Sequence, residues 1–139
     1  MQARAFLDLA RQMVLGKTEA HWRAAVIHGY YAVLLEGREA LARWGRPLPP
    51  KENVHSYVRL TMTFATDPDV KFIGGILDDL VKLRNKASYE LQAAPYFTTD
   101  KVAQVCIRDA SNAITLIDAI DSDPVRRTAT IASLPPPPP

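Results

Sequence analysis

The sequence predicts an all-α protein, an up-and-down bundle of four to five helices, on three observations. Apolar residues recur at intervals of three and four through every periodic stretch, the spacing of one helix face. Helix caps and stops punctuate those stretches at helix-length intervals. No run alternates apolar and polar residues between the turn signals of a hairpin.

The elements follow in order. Residues Ala3 to Leu15 set Phe6, Ala10, Met13 and Val14 on one face, and Gly16 offers a stop. Thr18 caps a long second helix to about Trp44, with Trp22, Val26, Tyr30, Val33, Gly37, Leu41 and Trp44 as its stripe and Gly45 in the left-handed position behind it. Gly29 and Gly37 lie on or beside that stripe, where a partner helix can approach closely. Pro47, Pro49 and Pro50 break the chain.

A third helix is expected over Asn53 to Ala65. Asp67-Pro68 then signals a restart, and a fourth helix runs from Asp69 to about Leu91 with Val70, Ile73, Leu77 and Leu80 inward. Pro95 closes that region. Thr98 or Thr99 caps a fifth helix whose stripe is Val102, Val105, Cys106, Ala113, Leu116, Ile117 and Ile120. Beyond Asp121 the pattern dissolves, so residues 1–121 form the expected domain and 122–139 a Pro-rich, flexible, solvated tail ending in Pro135 to Pro139.

Composition narrows the function. A chain of 139 residues has the length of one domain, and its 47% apolar and 23% charged content is that of a folded globular protein. A net charge of +2 is too small to argue for nucleic acid alone, although most of the basic residues are arginine, which suits phosphate and carboxylate recognition. The one cysteine, Cys106, excludes an intramolecular disulfide and reads as core. The first residues carry Arg4 and Asp8 and no long apolar run, so neither a signal peptide nor a membrane span is expected, and a cytoplasmic location is the default. His21 and His28 stand seven apart on one helix face, not at zinc spacing, and no metal or other cofactor is expected. Asp78-Asp79 with Lys82 and Lys86 reads as a solvated, salt-bridged face.

One passage is harder to absorb into a core or a solvated face. Stepping along Ile73, Leu77 and Leu80 lands next on Arg84, which puts a guanidinium on or at the edge of a buried face. Burying an unpaired charge costs several kcal/mol. The side chain must therefore snorkel, pair with a carboxylate, or line a groove that receives phosphates or a partner. Asn85 and Tyr89, four apart, share a face, and Ser88 lies on the side of Arg84. Arg84, Asn85, Ser88 and Tyr89 thus form a compact polar cluster late in an apolar helix, and function is expected to sit there; the ligand-binding role comes with the resemblance that follows.

Three passages together resemble the HEPN superfamily of small helical-bundle proteins. Gly29-Tyr30-Tyr31-Ala32 to Leu41 is similar to the long helix that carries a Tyr-Tyr-Ala motif. His55-Ser56 is similar to a His-Ser pair in the third helix. Leu83-Arg84-Asn85-Lys86-Ala87-Ser88-Tyr89 resembles the Leu-Arg-Asn-x-Ala-Asp-Tyr variant of the signature, with Ser88 where Asp is common.

The resemblance implies a homodimer that binds nucleotide or RNA across a shared groove, and a minimal nucleotidyltransferase as partner in a toxin–antitoxin or defence system. Many members are metal-independent ribonucleases with a histidine a few residues after the arginine. Here Tyr89, Glu90 and Leu91 occupy the positions where it would fall. A tyrosine of pKa about 10 is a poor base at neutral pH, whereas a histidine titrates near ~6.5. Binding without cleavage is therefore the expectation. The alternative is a divergent metal-independent endoribonuclease in which Arg84, with Asn85, works with His55 or Tyr89 as catalytic groups. His55 sits in a different helix, where it either faces Arg84 or is a structural, hydrogen-bonded histidine.

Overall fold

Thr18 begins the longest helix, its hydroxyl accepting the backbone N–H of His21, and Gly45 ends it at φ 81°. A computed structural model describes residues 1–92 and 94–137 of the chain; Ala93, Pro138 and Pro139 lie outside the described residues, including the last two prolines of the expected tail. Its helices are α1 (Ala5–Val14), α2 (Glu19–Arg43), α3 (Val54–Thr63), α4 (Pro68–Tyr89), α5 (Lys101–Asp121) and α6 (Pro124–Ser133), with short 3-10 turns at Lys51–Asn53 and Ala94–Tyr96. Among the described residues there is no strand, and the protein is an all-α bundle. None of its helices is long and apolar enough to cross a membrane.

The central helix is α2, packed against α1, α3, α4 and α5; α3 also lies on α4, and α6 lies on α5. The core runs between Val26, Tyr30, Val33 and Leu41 of α2, Ile73, Leu77 and Leu80 of α4, and Cys106, Ile117 and Ile120 of α5. Close approach explains two glycines. A Cβ on Gly29 would stand 3.0 Å from the Cys106 sulfur, and one on Gly37 would stand 3.0 Å from a Val58 methyl. Asp67 opens α4 as its sequence predicts, accepting the N–H groups of Asp69 and Val70 ahead of Pro68.

Three expectations are corrected. Residues 124–134 of the expected tail are not solvated chain. Asp123-Pro124 repeats the Asp67-Pro68 signal, with the Asp123 carboxylate accepting the N–H groups of Val125 and Arg126, and it starts α6. That helix is tied down by an Arg126–Asp69 ion pair, a Thr66 N–H to Ser133 carbonyl bond of 3.0 Å, and Leu134, buried at 6% exposure. The buried face of α5 also differs. Val105 is 42% exposed, while Ala103, Ala110 and Ala113 face inward with Cys106, Ile107, Ile114, Ile117 and Ile120. The cap of α5 is Asp100 by position, without a side-chain bond; the Thr99 hydroxyl instead accepts the Lys101 N–H at 3.3 Å.

Candidate functional site

Helix α4 carries Arg84 two turns past the apolar centre of its buried face, and α2 brings Tyr30 and Tyr31 to meet it. One guanidinium nitrogen, Nη2, donates to the Tyr31 hydroxyl at 2.7 Å, and Nη1 donates to the Asn85 side-chain oxygen at 3.0 Å. The guanidinium carbon lies 5.8 Å from the Tyr30 ring centre, 5.5 Å from that of Tyr31 and 5.6 Å from that of Tyr89. These are distances at which a cation is attracted by a π-face.

No carboxylate pairs with this guanidinium among the described residues. Every other arginine except Arg46 does have a carboxylate partner. Arg84 Nε is buried without any partner. Burial works against the charge, but the Tyr31 bond and the surrounding tyrosines hold the pKa of Arg84 above its ordinary value. The site therefore presents a fixed, partly desolvated positive charge.

The third contributor is His55, at the start of α3. Its ring stacks on Tyr30 at 5.8 Å between centres and meets Tyr31 edge-on at 6.1 Å. Its Nδ1 lies 2.7 Å from the Tyr30 hydroxyl. Burial, and then the charge of Arg84, hold the His55 pKa below the usual histidine value, so the ring is neutral at pH 7. Burial pushes the Tyr30 phenol up to about 12, so it keeps its proton. That proton has no other acceptor among the described hydrogen bonds, which assigns it to His55 Nδ1. The histidine proton then sits on Nε2, and His55 is a hydrogen-bond donor here.

Two residues that the sequence does not assign to the site pack against it or cap its helix. Phe6 of α1 stacks on His28 at 5.9 Å and leans on Tyr31 at 6.4 Å. Arg23 of α2 is buried and caps the end of α4, donating through Nη1 to the carbonyls of Lys86, Ala87 and Glu90 at 3.0, 3.1 and 3.1 Å. Its Nη2 reaches the Leu91 carbonyl at 3.4 Å, its Nε bonds Glu19, and its guanidinium lies 4.5 Å over the Phe97 ring. These carbonyls are the orphan acceptors of a helix C-terminus, where a cation is favoured. The sequence signal is only the Glu19–Arg23 spacing of four, which any solvated helix face also shows.

The structure brings together Arg84, Asn85, Tyr89 and His55. Ser88 takes part in none of the described hydrogen bonds. Glu90 pairs with Lys86 at 3.4 Å rather than with Arg84, and Asp78 pairs with Lys82 at 2.9 Å and Arg59 at 3.3 Å. His21 lies 2.6 Å from the Thr18 hydroxyl. Among the described residues no group of three histidine, cysteine, aspartate or glutamate side chains is arranged to hold a metal. The Cys106 thiol is in the core, with burial pushing its pKa up to about 12. A separate cleft of 800 Å³ is lined by Arg4, Glu36, Arg38, Arg43, Asp118 and Asp121, and its charges pair among themselves and with Glu39.

Compared with protein-family models, curated proteins and solved structures, the chain matches none. The chemistry of the site thus rests on its own geometry: an unneutralised guanidinium, a neutral imidazole donor, an amide and three aromatic rings. Such a set suits an anion that accepts several hydrogen bonds, and it offers π-faces beside that anion.

Proposed function

We infer that this protein binds a phosphate-bearing ligand, a nucleotide or RNA, at Arg84. The observation that carries the reading is that, among the described residues, no carboxylate stands beside this half-buried arginine, while the other arginines, Arg46 excepted, all have one. A phosphate supplies the missing counter-charge, and Arg84 and the His55 Nε2–H are donors suited to it. The resemblance to HEPN proteins is supported by the meeting of its three passages: Tyr30-Tyr31 from α2, His55 from α3, and Arg84-Asn85 from α4. With that resemblance go a homodimer sharing the groove, a cytoplasmic location, and a minimal nucleotidyltransferase as partner in a toxin–antitoxin or defence system.

A second reading keeps an enzyme, a metal-independent endoribonuclease with Arg84 on the phosphorane and His55 or Tyr89 moving protons. It is favoured by the contact of His55 with both tyrosines. Against it stands the tautomer: a histidine protonated on Nε2 arrives as a donor, while removing the ribose 2′-hydroxyl proton needs a base. One experiment separates the two. Calorimetric titration with a dinucleotide phosphodiester should give binding that Arg84→Ala abolishes, and incubation with varied RNAs without metal should leave them intact. Cleavage to 2′,3′-cyclic phosphate ends, lost in Arg84→Ala, would replace the first reading by the second. Sedimentation as a monomer at micromolar concentration would remove the shared groove.

A further inference from the structure

The geometry points to a second subsite beside the phosphate site, a stacking cleft for an unpaired nucleobase between Tyr89 and Tyr96; this rests on the reading of Arg84 as a phosphate site. A cleft of 660 Å³ opens where α4 ends, lined by Lys86, Tyr89, Glu90, Leu91, Gln92, Pro95 and Tyr96. That volume is in the range of small-ligand sites. Tyr89 is the shared wall, because the same ring that lines the cleft lies 5.6 Å from the Arg84 guanidinium. A ligand with an anion on Arg84 thus has its next group at the cleft.

The walls are apolar and left open to water. Tyr89 is 71% exposed, Leu91 77% and Tyr96 44%. The backbone beside them is anchored. Arg23 ties the carbonyls of Lys86, Ala87, Glu90 and Leu91 on one side, and its guanidinium covers Phe97, the buried neighbour of Tyr96, on the other. An exposed apolar cleft with fixed walls costs little further ordering when a flat ligand enters.

Charge decides which part of the ligand goes where. The Lys86 ammonium stands 4.8 Å over the Tyr96 ring and is neutralised by Glu90 at 3.4 Å. The cleft therefore has a carboxylate on its wall and no free cation, which disfavours a phosphate there. Arg84, without a carboxylate, takes the anion; the cleft, with two tyrosine faces, takes the base. Stacking of this kind tolerates any base, while Glu90 and Gln92 are placed to accept from ring or exocyclic N–H groups.

The test compares a dinucleotide phosphodiester with an abasic ribose phosphodiester of equal charge, by calorimetry, on the whole chain. Tyr96→Ala should weaken the dinucleotide about 5- to 150-fold and leave the abasic ligand unchanged. Tyr96→Phe keeps the ring and should keep the affinity, which controls for folding. Arg84→Ala should weaken both ligands. If Tyr96→Ala and Tyr89→Ala change the two ligands alike or not at all, while Arg84→Ala still weakens both, the base subsite falls and the phosphate site stands. If the unmodified protein binds neither ligand, both fall together.

Discussion

Replacing Arg84 by methionine separates an arginine kept for a ligand from one kept for the fold. In the free protein the change removes a charged hydrogen bond to Tyr31 and a bond to Asn85. Together these are worth about 3–6 kcal/mol. It also removes the desolvation of the guanidinium and the unpartnered Nε, of which the lone donor alone costs about 1–3 kcal/mol. Methionine fills the space of the aliphatic stem, and Tyr31, only partly buried, can turn its hydroxyl to water. The terms nearly cancel, so stability should change by no more than about 1 kcal/mol, as when a buried ion is exchanged for a well-packed apolar side chain.

Binding should respond differently. Hydrogen bonds from a charged donor contribute about 1.5–3 kcal/mol each, so affinity for a phosphodiester should fall roughly 10- to 150-fold. Urea denaturation gives the first quantity and calorimetric titration the second. A destabilisation of ~3–5 kcal/mol, the size seen when a structural buried pair is broken, with unchanged affinity would refute the reasoning and make Arg84 a fold residue.

Four more outcomes are expected. The folded pKa of His28 is lowered by burial and that of His55 by burial and then by Arg84; the unfolded chain thus protonates first as pH falls, and stability should decline below pH ~6.5 and be fully present above it. Phosphodiester affinity should rise over the same descent as His55 gains charge, and a profile unchanged in His55→Gln would remove His55 from the site. Leu134→Ala should cost about 2–3 kcal/mol in urea denaturation through the lost apolar burial, whereas a solvated tail would show no change. Arg23→Ala should cost about 3 kcal/mol and speed amide exchange through the last turn of α4; protection equal to that of the unmodified chain would mean that the cap is redundant.

Most helices were legible because each carries its own instructions. The three-and-four spacing of α2 and α4 places their buried faces, and Thr18, Gly45 and Asp67-Pro68 mark their ends by local chemistry that needs no partner. The sixth helix was missed although Asp123-Pro124 is the same signal, since Arg126, Arg127, Thr128 and Thr130 make the segment polar and its apolar face of Val125, Ala129 and Ala132 is small. Its stability comes from outside, through Asp69, Thr66 and the burial of Leu134. In α5 Val105 was read onto the stripe beside Cys106, but it is 42% exposed, while Ala103 and Ala110 face inward.

The sequence by itself determined an all-α chain and an arginine on a buried helix face, because both follow from periodicity along one segment. It left open whether Arg84 snorkels, meets a carboxylate or lines a groove. Only tertiary structure decided that no carboxylate among the described residues reaches it and that Tyr31, 53 residues away, does. The same holds for His55, whose Nδ1 meets the hydroxyl of a tyrosine from another helix. Partners across a bundle depend on how helices cross, and the crossing is set by packing summed over the whole core rather than by the residues that meet there.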